Sequence, residues 1–302
     1  MFNQERKQQF LKQKSDGAIL SNNLRDLFEK TQAKEEQLGR DVAEWTSGEI
    51  IDFFKWYGTK SIQSLIMLHN GLTSYADWCL LAGLVKDNQN HFREVNSEML
   101  CKCINTQELD KLIITRKELL DTIKQLPNKS DQFIFLALFE GIPSKDRVLV
   151  SIKVSDLNGN ELTLCNGEKR IITDDLVKLM KQANEEDTYQ SLGKREMIYK
   201  YAPRDTVIKP PISRKGIQTK ETVGVTVRVR SCLKWLGKWE NLTMKLIRES
   251  GRIDYIKRLA ERENVKPEDI VINNKYRSQV EKIYGDMQNR ITYLNTFGKY
   301  LT

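Results

Sequence analysis

The sequence predicts a mainly α fold with a small antiparallel β-meander (α+β), divided into two domains. Three observations predict it. Apolar residues recur at helical spacing behind two capping-box starts, so helices dominate. The period shifts to two around residues 148–172, where Asn-Gly turn signals stand. A chain of 302 residues with 39% hydrophobic content exceeds what one core commonly serves.

In the first domain, residues 1–40 are rich in Gln, Lys and Glu and read as helical. Thr46-Ser47-Gly48-Glu49 has capping-box spacing, in which hydroxyl and carboxylate satisfy the free N–H groups of a helix start. Ile50, Ile51, Phe54 and Tyr57 follow at helical spacing. A second helix begins near Ser61, with Ile62, Leu65, Ile66, His69, Leu72, Ala76 and Cys79 on one stripe. His69 lies on that stripe and is expected as a core histidine. The weak pattern around residues 103–107 places a boundary near residue 105, giving domains 1–105 and 106–302.

In the second domain, Thr115-Arg116-Lys117-Glu118 repeats the capping box and opens a helix that Pro127 stops. Asp131 to Gly141 is apolar enough for a buried helix. Val148 to Val154, Glu161 to Cys165 and Lys169 to Ile172 read as three strands, with turns at Asn158-Gly159 and Asn166-Gly167. Asp174-Asp175 suits the positive end of the next helix. Residues 186–223, with Pro210-Pro211, read as irregular or inserted. Val225 to Arg230 alternates with period two, placing valines on one face and Arg228 and Arg230 on the other. Lys245, Arg248 and Arg252, at i, i+3 and i+7, share one helical face.

Composition narrows the function classes. The longest apolar run, Phe133 to Phe139, falls far short of the roughly 20 residues of a membrane span, and the opening MFNQERKQQF lacks a signal-peptide apolar stretch. Five cysteines without framework spacing predict reduced thiols in a cytoplasm. Cys101-x-Cys103 has no second pair or nearby histidine, and neither a Walker loop nor a Rossmann glycine pattern is present, so no metal or cofactor is expected. The net charge of +8 is local: residues 188–260 hold 17 Lys+Arg against 6 Asp+Glu. A concentrated basic excess predicts a surface that meets a polyanion. The tryptophans, Trp235 and Trp239 among them, are expected as packing anchors.

The order of these parts resembles the tyrosine recombinase (phage integrase) family. Residues 45–54 (WTSGEIIDFF), followed by SIQSLIMLHNGLTSYADWCLLAGL, resemble that family's helical core-binding domain. The segments ITRKELLDTIKQL and FLALFEGI, the meander, and the box from Lys245 to Gly251 resemble its catalytic domain. The resemblance implies a two-domain clamp around DNA. It also implies a reaction in which a tyrosine attacks a phosphodiester while two arginines stabilise the phosphate and lysine and histidine move protons.

Residue by residue, that machinery is depleted. The first arginine position falls on Pro143 or Lys145, with Arg147 out of register. The His-x-x-Arg box reads Lys245-x-x-Arg248, and the later histidine position falls near Val271. Lys169 matches the hairpin lysine, and Tyr276 and Tyr284 flank the nucleophile position. The expectation is therefore a DNA-binding protein without strand transfer. Similarity of the whole chain to recombinase-like prophage repressors implies a sequence-specific, double-stranded DNA-binding transcriptional repressor that maintains lysogeny and self-associates on operator sites. The alternatives are an active recombinase using Tyr276 or Tyr284, and an accessory architectural DNA-binding protein. The expected DNA contacts are Arg248, Lys245, Arg252, Lys169, Arg170, Arg228, Arg230, Arg214, Lys215 and, in the first domain, Lys60.

Overall fold

The computed structural model describes residues 1–13, 18–59, 62–104, 110–145, 147–193, 196–212, 224–239 and 241–302. The chain divides into two compact units, Met1–Leu109 and Asp110–Thr302.

In the first unit every described regular element is helical. Helices α1 (Gln4–Gln13) and α2 (Ala18–Leu38) form the N-terminal stretch. The capping box at Thr46 opens α3 (Ser47–Tyr57), and Gly58 closes it in the left-handed conformation at φ 66°. Helix α4 (Ile62–Leu81) and the short α5 (Ser97–Cys101) complete the set. Phe10, Phe28, Trp45, Phe53, Phe54, Leu65 and Tyr75 are buried. His69 is a core residue: its Nε2 lies 2.9 Å from the Phe92 carbonyl, with the rings of Phe54 and Phe92 to either side. Lys7 and Glu35 are fully buried as an ion pair, their atoms 2.6 Å apart, which locks α1 to α2.

The second unit is built around α7 (Lys129–Phe139), in which every residue from Ser130 to Phe139 is buried. The second capping box opens α6 (Arg116–Ile123) as the sequence predicts. The meander is present, but its first strand is displaced. Val148 to Val154 forms two 3-10 turns, Leu149–Ser151 and Val154–Asp156, and the strands are β1 (Leu157–Asn158), β2 (Glu161–Thr163) and β3 (Lys169–Ile171). They pair antiparallel, with Leu157 opposite Leu162 and Leu162 opposite Arg170. Gly159 and Gly167 sit at φ 60° and 81°, as the two tight turns require. Thr173 caps α8 (Asp174–Glu185), whose first turn carries both aspartates. Part of the region expected to be irregular is a hairpin, β4 (Thr188–Gln190) against β5 (Ile198–Lys200).

The largest correction concerns Val225 to Arg230, which is helical and belongs to α9 (Val225–Leu236). The alternation covers only six residues. Extended to Leu233, the buried set is Val225, Arg228, Val229, Cys232 and Leu233, which has helical spacing. Val227, which a strand would bury with its neighbours, is 66% exposed. Burial and the partner available to Arg228 outweigh β-propensity here.

Three further helices follow the long α10 (Met244–Glu263): α11 (Pro267–Ile272), α12 (Asn274–Tyr284) and α13 (Arg290–Phe297). Helix α10 lies so close to the end of α7 that a Cβ on Gly251 would fall 1.6 Å from the Phe139 carbonyl oxygen. Only glycine permits that approach. Among the described residues no helix is long and apolar enough to cross a membrane.

Candidate nucleic-acid interface

Arg248 and Arg252 stand one turn apart on α10, and Arg170 stands on β3. All three guanidiniums converge on the C-terminal turn of α12. Arg170 Nη1 donates to the Ile283 carbonyl at 2.6 Å. Arg248 Nη2 donates to the carbonyls of Tyr284 at 3.1 Å and Gly141 at 3.3 Å. Arg252 Nη2 donates to those of Tyr284 at 2.9 Å and Gly285 at 3.2 Å. The last carbonyls of a helix have no partner inside it and carry the negative end of its dipole, so cations belong there.

The three differ in charge compensation. Arg252 is buried and paired with Glu249 at 3.0 Å. Arg170 Nε lies 2.7 Å from Glu168, close enough for an ion pair but not aligned as a hydrogen bond. Arg248 pairs with no carboxylate among the described residues. Its burial, then Arg252 and Arg170 beside it, push its pKa below the usual guanidinium value. The row expected as one helical face is thus graded: Lys245 exposed, Arg248 half-buried, Arg252 buried.

Arg228 must be withdrawn as a surface contact. It is buried, its Nε donates to Asp131 at 2.7 Å, its Nη2 donates to the Ser130 hydroxyl at 2.7 Å, and it lies over the Tyr189 ring. Burial opposes its charge, but Asp131 more than offsets this and raises its pKa. Arg230, two residues on, is exposed. On the same outward face of α9 stand Val227 and Lys234, and Lys238 follows just beyond the helix. Arg230, Lys234 and Lys238 form no ion pair among the described residues. Lys234 and Lys238 are absent from the expected contacts, although 227, 230 and 234 are spaced as one helical stripe. Trp235, expected as a packing anchor, is 40% exposed, while Trp239 packs against the core.

Lys169 is exposed at the meander edge and pairs with Glu161 at 2.7 Å. Lys60, Arg214 and Lys215 lie outside the described residues. Pro143 is half-buried, and Lys145 and Arg147 are exposed, Arg147 with a left-handed φ of 62°. Tyr284 is buried; its hydroxyl donates to the Phe139 carbonyl at 3.0 Å, and burial drives its pKa well up. Tyr276 packs against the C-terminal cluster of Ile270, Val280 and Tyr293. Among the described residues no group of three or more His, Cys, Asp or Glu side chains is arranged to hold a metal ion.

Residues 113–296 match the family model described as "MrpR, C-terminal catalytic domain", and residues 1–81 match "MrpR, N-terminal core-binding domain". The SPbeta prophage-derived uncharacterized protein YopR of Bacillus subtilis (strain 168) is 29% identical over 200 residues, covering 63% of this chain. The match spans 60% of that relative's length, under two thirds of it. The crystal structure of XerA recombinase aligns over 97% of this chain and 91% of that one, at 13% identity and a TM-score of 0.38.

Proposed function

The chain belongs to the MrpR family, and on that premise we propose that it is a double-stranded DNA-binding transcriptional repressor of a prophage that does not transfer strands. The observation that carries the DNA-binding part is the outward face of α9. Arg230 and Lys234 stand there one turn apart, with Lys238 just beyond, and none is spent on an ion pair within the described residues. Val227, one turn before Arg230, adds apolar contact area beside them. An exposed helix of this width fits a B-DNA major groove. Free cations there displace counterions from phosphates, while Val227 offers an apolar surface suited to a thymine methyl group.

The non-enzymatic part rests on the positions that are missing: Pro143 or Lys145 stands where the first arginine is expected, Lys245 where the first histidine is, and Val271 near the second. Tyr284 keeps its hydroxyl on the Phe139 carbonyl, away from solvent. A reaction that needs several preorganised donors at once loses about 10²–10³ in rate for each one missing. Operator occupancy and repression need only binding.

The deciding measurement is the salt dependence of duplex binding together with adduct trapping. With roughly 6–10 phosphate contacts, affinity falls by about 10³–10⁵ between about 50 and 200 mM salt. A nearly flat log–log plot removes the phosphate-binding surface. A covalent adduct trapped on a nicked duplex, and lost in Tyr276→Phe or Tyr284→Phe, overturns the non-enzymatic reading. Genome-wide occupancy in a lysogen, read beside transcript changes on depletion, tests the repressor role.

A further inference from the structure

The end of α12 occupies the donors that a DNA phosphate would use. Four hydrogen bonds run from Arg170, Arg248 and Arg252 to the carbonyls of Ile283, Tyr284 and Gly285. The turn is also fitted by shape. Gly141, at φ 87°, leaves no room for a Cβ, which would meet Ile283 Cγ2 at 2.9 Å and the Ile283 carbonyl oxygen at 3.0 Å. Tyr284 then anchors the turn through its hydroxyl bond to Phe139. Beyond it the chain is non-helical from Gly285 to Asn289. That stretch begins at Gly285 with φ 77°, so it can act as a joint between α12 and α13.

The ligands in this dock are weak for such donors. A helix end presents about half an elementary charge, spread over several carbonyls. A phosphate diester presents a full charge, and its charge-assisted bonds are roughly twice as strong as neutral ones. Glu249 and Glu168 stand beside Arg252 and Arg170, which leaves Arg248 as the uncompensated cation of the three. The donor capacity is not exhausted either: the Nε atoms of Arg248 and Arg252 are buried without a hydrogen-bond partner. Arg248 is only half-buried, so an anion can reach it from solvent.

We propose that the C-terminal turn of α12 is an internal competitor for DNA phosphate, so that engagement of DNA by Arg248 and Arg252 is coupled to release of Ile283–Gly285. The coupling rests on the DNA-binding reading above. It makes the docked turn a self-restraint: apparent affinity is the intrinsic affinity scaled by the fraction of molecules in which the turn is released. Anything that stabilises the dock weakens DNA binding, and anything that loosens it strengthens binding.

Hydrogen exchange of the full chain, with and without a duplex of arbitrary sequence at low salt, tests this directly. Backbone amides of residues 281–285 exchange about fivefold faster or more in the complex, the weight of one net hydrogen bond lost from the dock. Unchanged or increased protection there overturns the coupling. Tyr284→Phe removes the anchor while sparing every arginine, and it tightens duplex binding by about fivefold. Unchanged or weaker binding by a variant that melts like the parent also overturns it, and exchange in the parent chain decides the matter if the variant does not fold. Duplex binding without loosening of the turn sinks the coupling alone. No duplex binding at any salt sinks the DNA-binding reading and the coupling with it.

Discussion

Arg228 and Arg248 belong to the same basic stretch of sequence, Arg228 buried and Arg248 half-buried, and they differ in what receives their charge. Arg228 meets Asp131 and Ser130 in a buried pair that fastens α9 to the start of α7. Among the described residues Arg248 hydrogen-bonds only to carbonyl oxygens, beside two more guanidiniums. The first is a finished structural contact, in which either partner alone would be a costly buried charge. The second leaves a cation with dipoles for company, and that is the arrangement an anion can improve. Two arginines equal in composition therefore have opposite consequences for ligand binding.

The largest effect is expected where the pair is broken. Arg228→Ala leaves Asp131 buried and unpaired, and it lowers unfolding free energy by about 3–5 kcal/mol in denaturant titration. Arg228→Met combined with Asp131→Leu removes both charges and recovers most of that loss. A single variant as stable as the parent would erase the distinction between the two arginines.

Gly251→Ala comes next. Its methyl would lie 1.6 Å from the Phe139 carbonyl, so α10 must shift away from α7. We expect a loss of about 1–3 kcal/mol or more, read as a lower melting temperature. Because Phe139 also receives the Tyr284 hydroxyl, the same shift loosens the dock at Arg248.

Arg248→Ala sharpens the comparison from the other side. It removes two bonds to carbonyls but also relieves repulsion from Arg170 and Arg252, so stability changes by less than about 1 kcal/mol. Duplex binding weakens alike on operator and arbitrary sequence, because a phosphate contact carries no base information, and the log–log salt slope falls by about 0.9. Arg248→Lys restores part of the affinity, since an ammonium cannot reproduce the planar fork. A folded variant with unchanged affinity and slope would remove Arg248 from the interface.

The smallest stability change is expected at Arg230. It is exposed on the face of α9 opposite the one that buries Arg228, so Arg230→Ala shifts stability by less than about 0.5 kcal/mol. Its expected effect is on duplex binding. If Arg230 reaches a base edge, discrimination between operator and arbitrary duplex falls by about 1–3 kcal/mol. A loss equal on both sequences assigns it to a phosphate instead.

Local signals were legible in the sequence wherever the chemistry involved neighbours in the chain. The capping boxes at Thr46 and Thr115, the apolar run that became α7, the Asn-Gly turns and the core position of His69 all depend on contacts a few residues apart or on a burial stripe. The box from Lys245 to Gly251 was also visible as a unit, but the reason for its glycine, the close approach of the Phe139 carbonyl, was not. The state of α9 was legible only in part. Six alternating residues alone fit a strand, the helical spacing shows only when Cys232 and Leu233 are included, and the partner of the buried Arg228 is Asp131, almost a hundred residues away in sequence. The role of the arginines was decided the same way. Sequence alone places Arg248 and Arg252 on one helix, but only the folded chain brings the end of α12 and the β3 arginine to them. Periodicity records which face of an element is apolar. It does not record which distant carboxylate or carbonyl will meet a charge, and in this protein that meeting separates a buried strut from a half-buried cation without a carboxylate partner among the described residues.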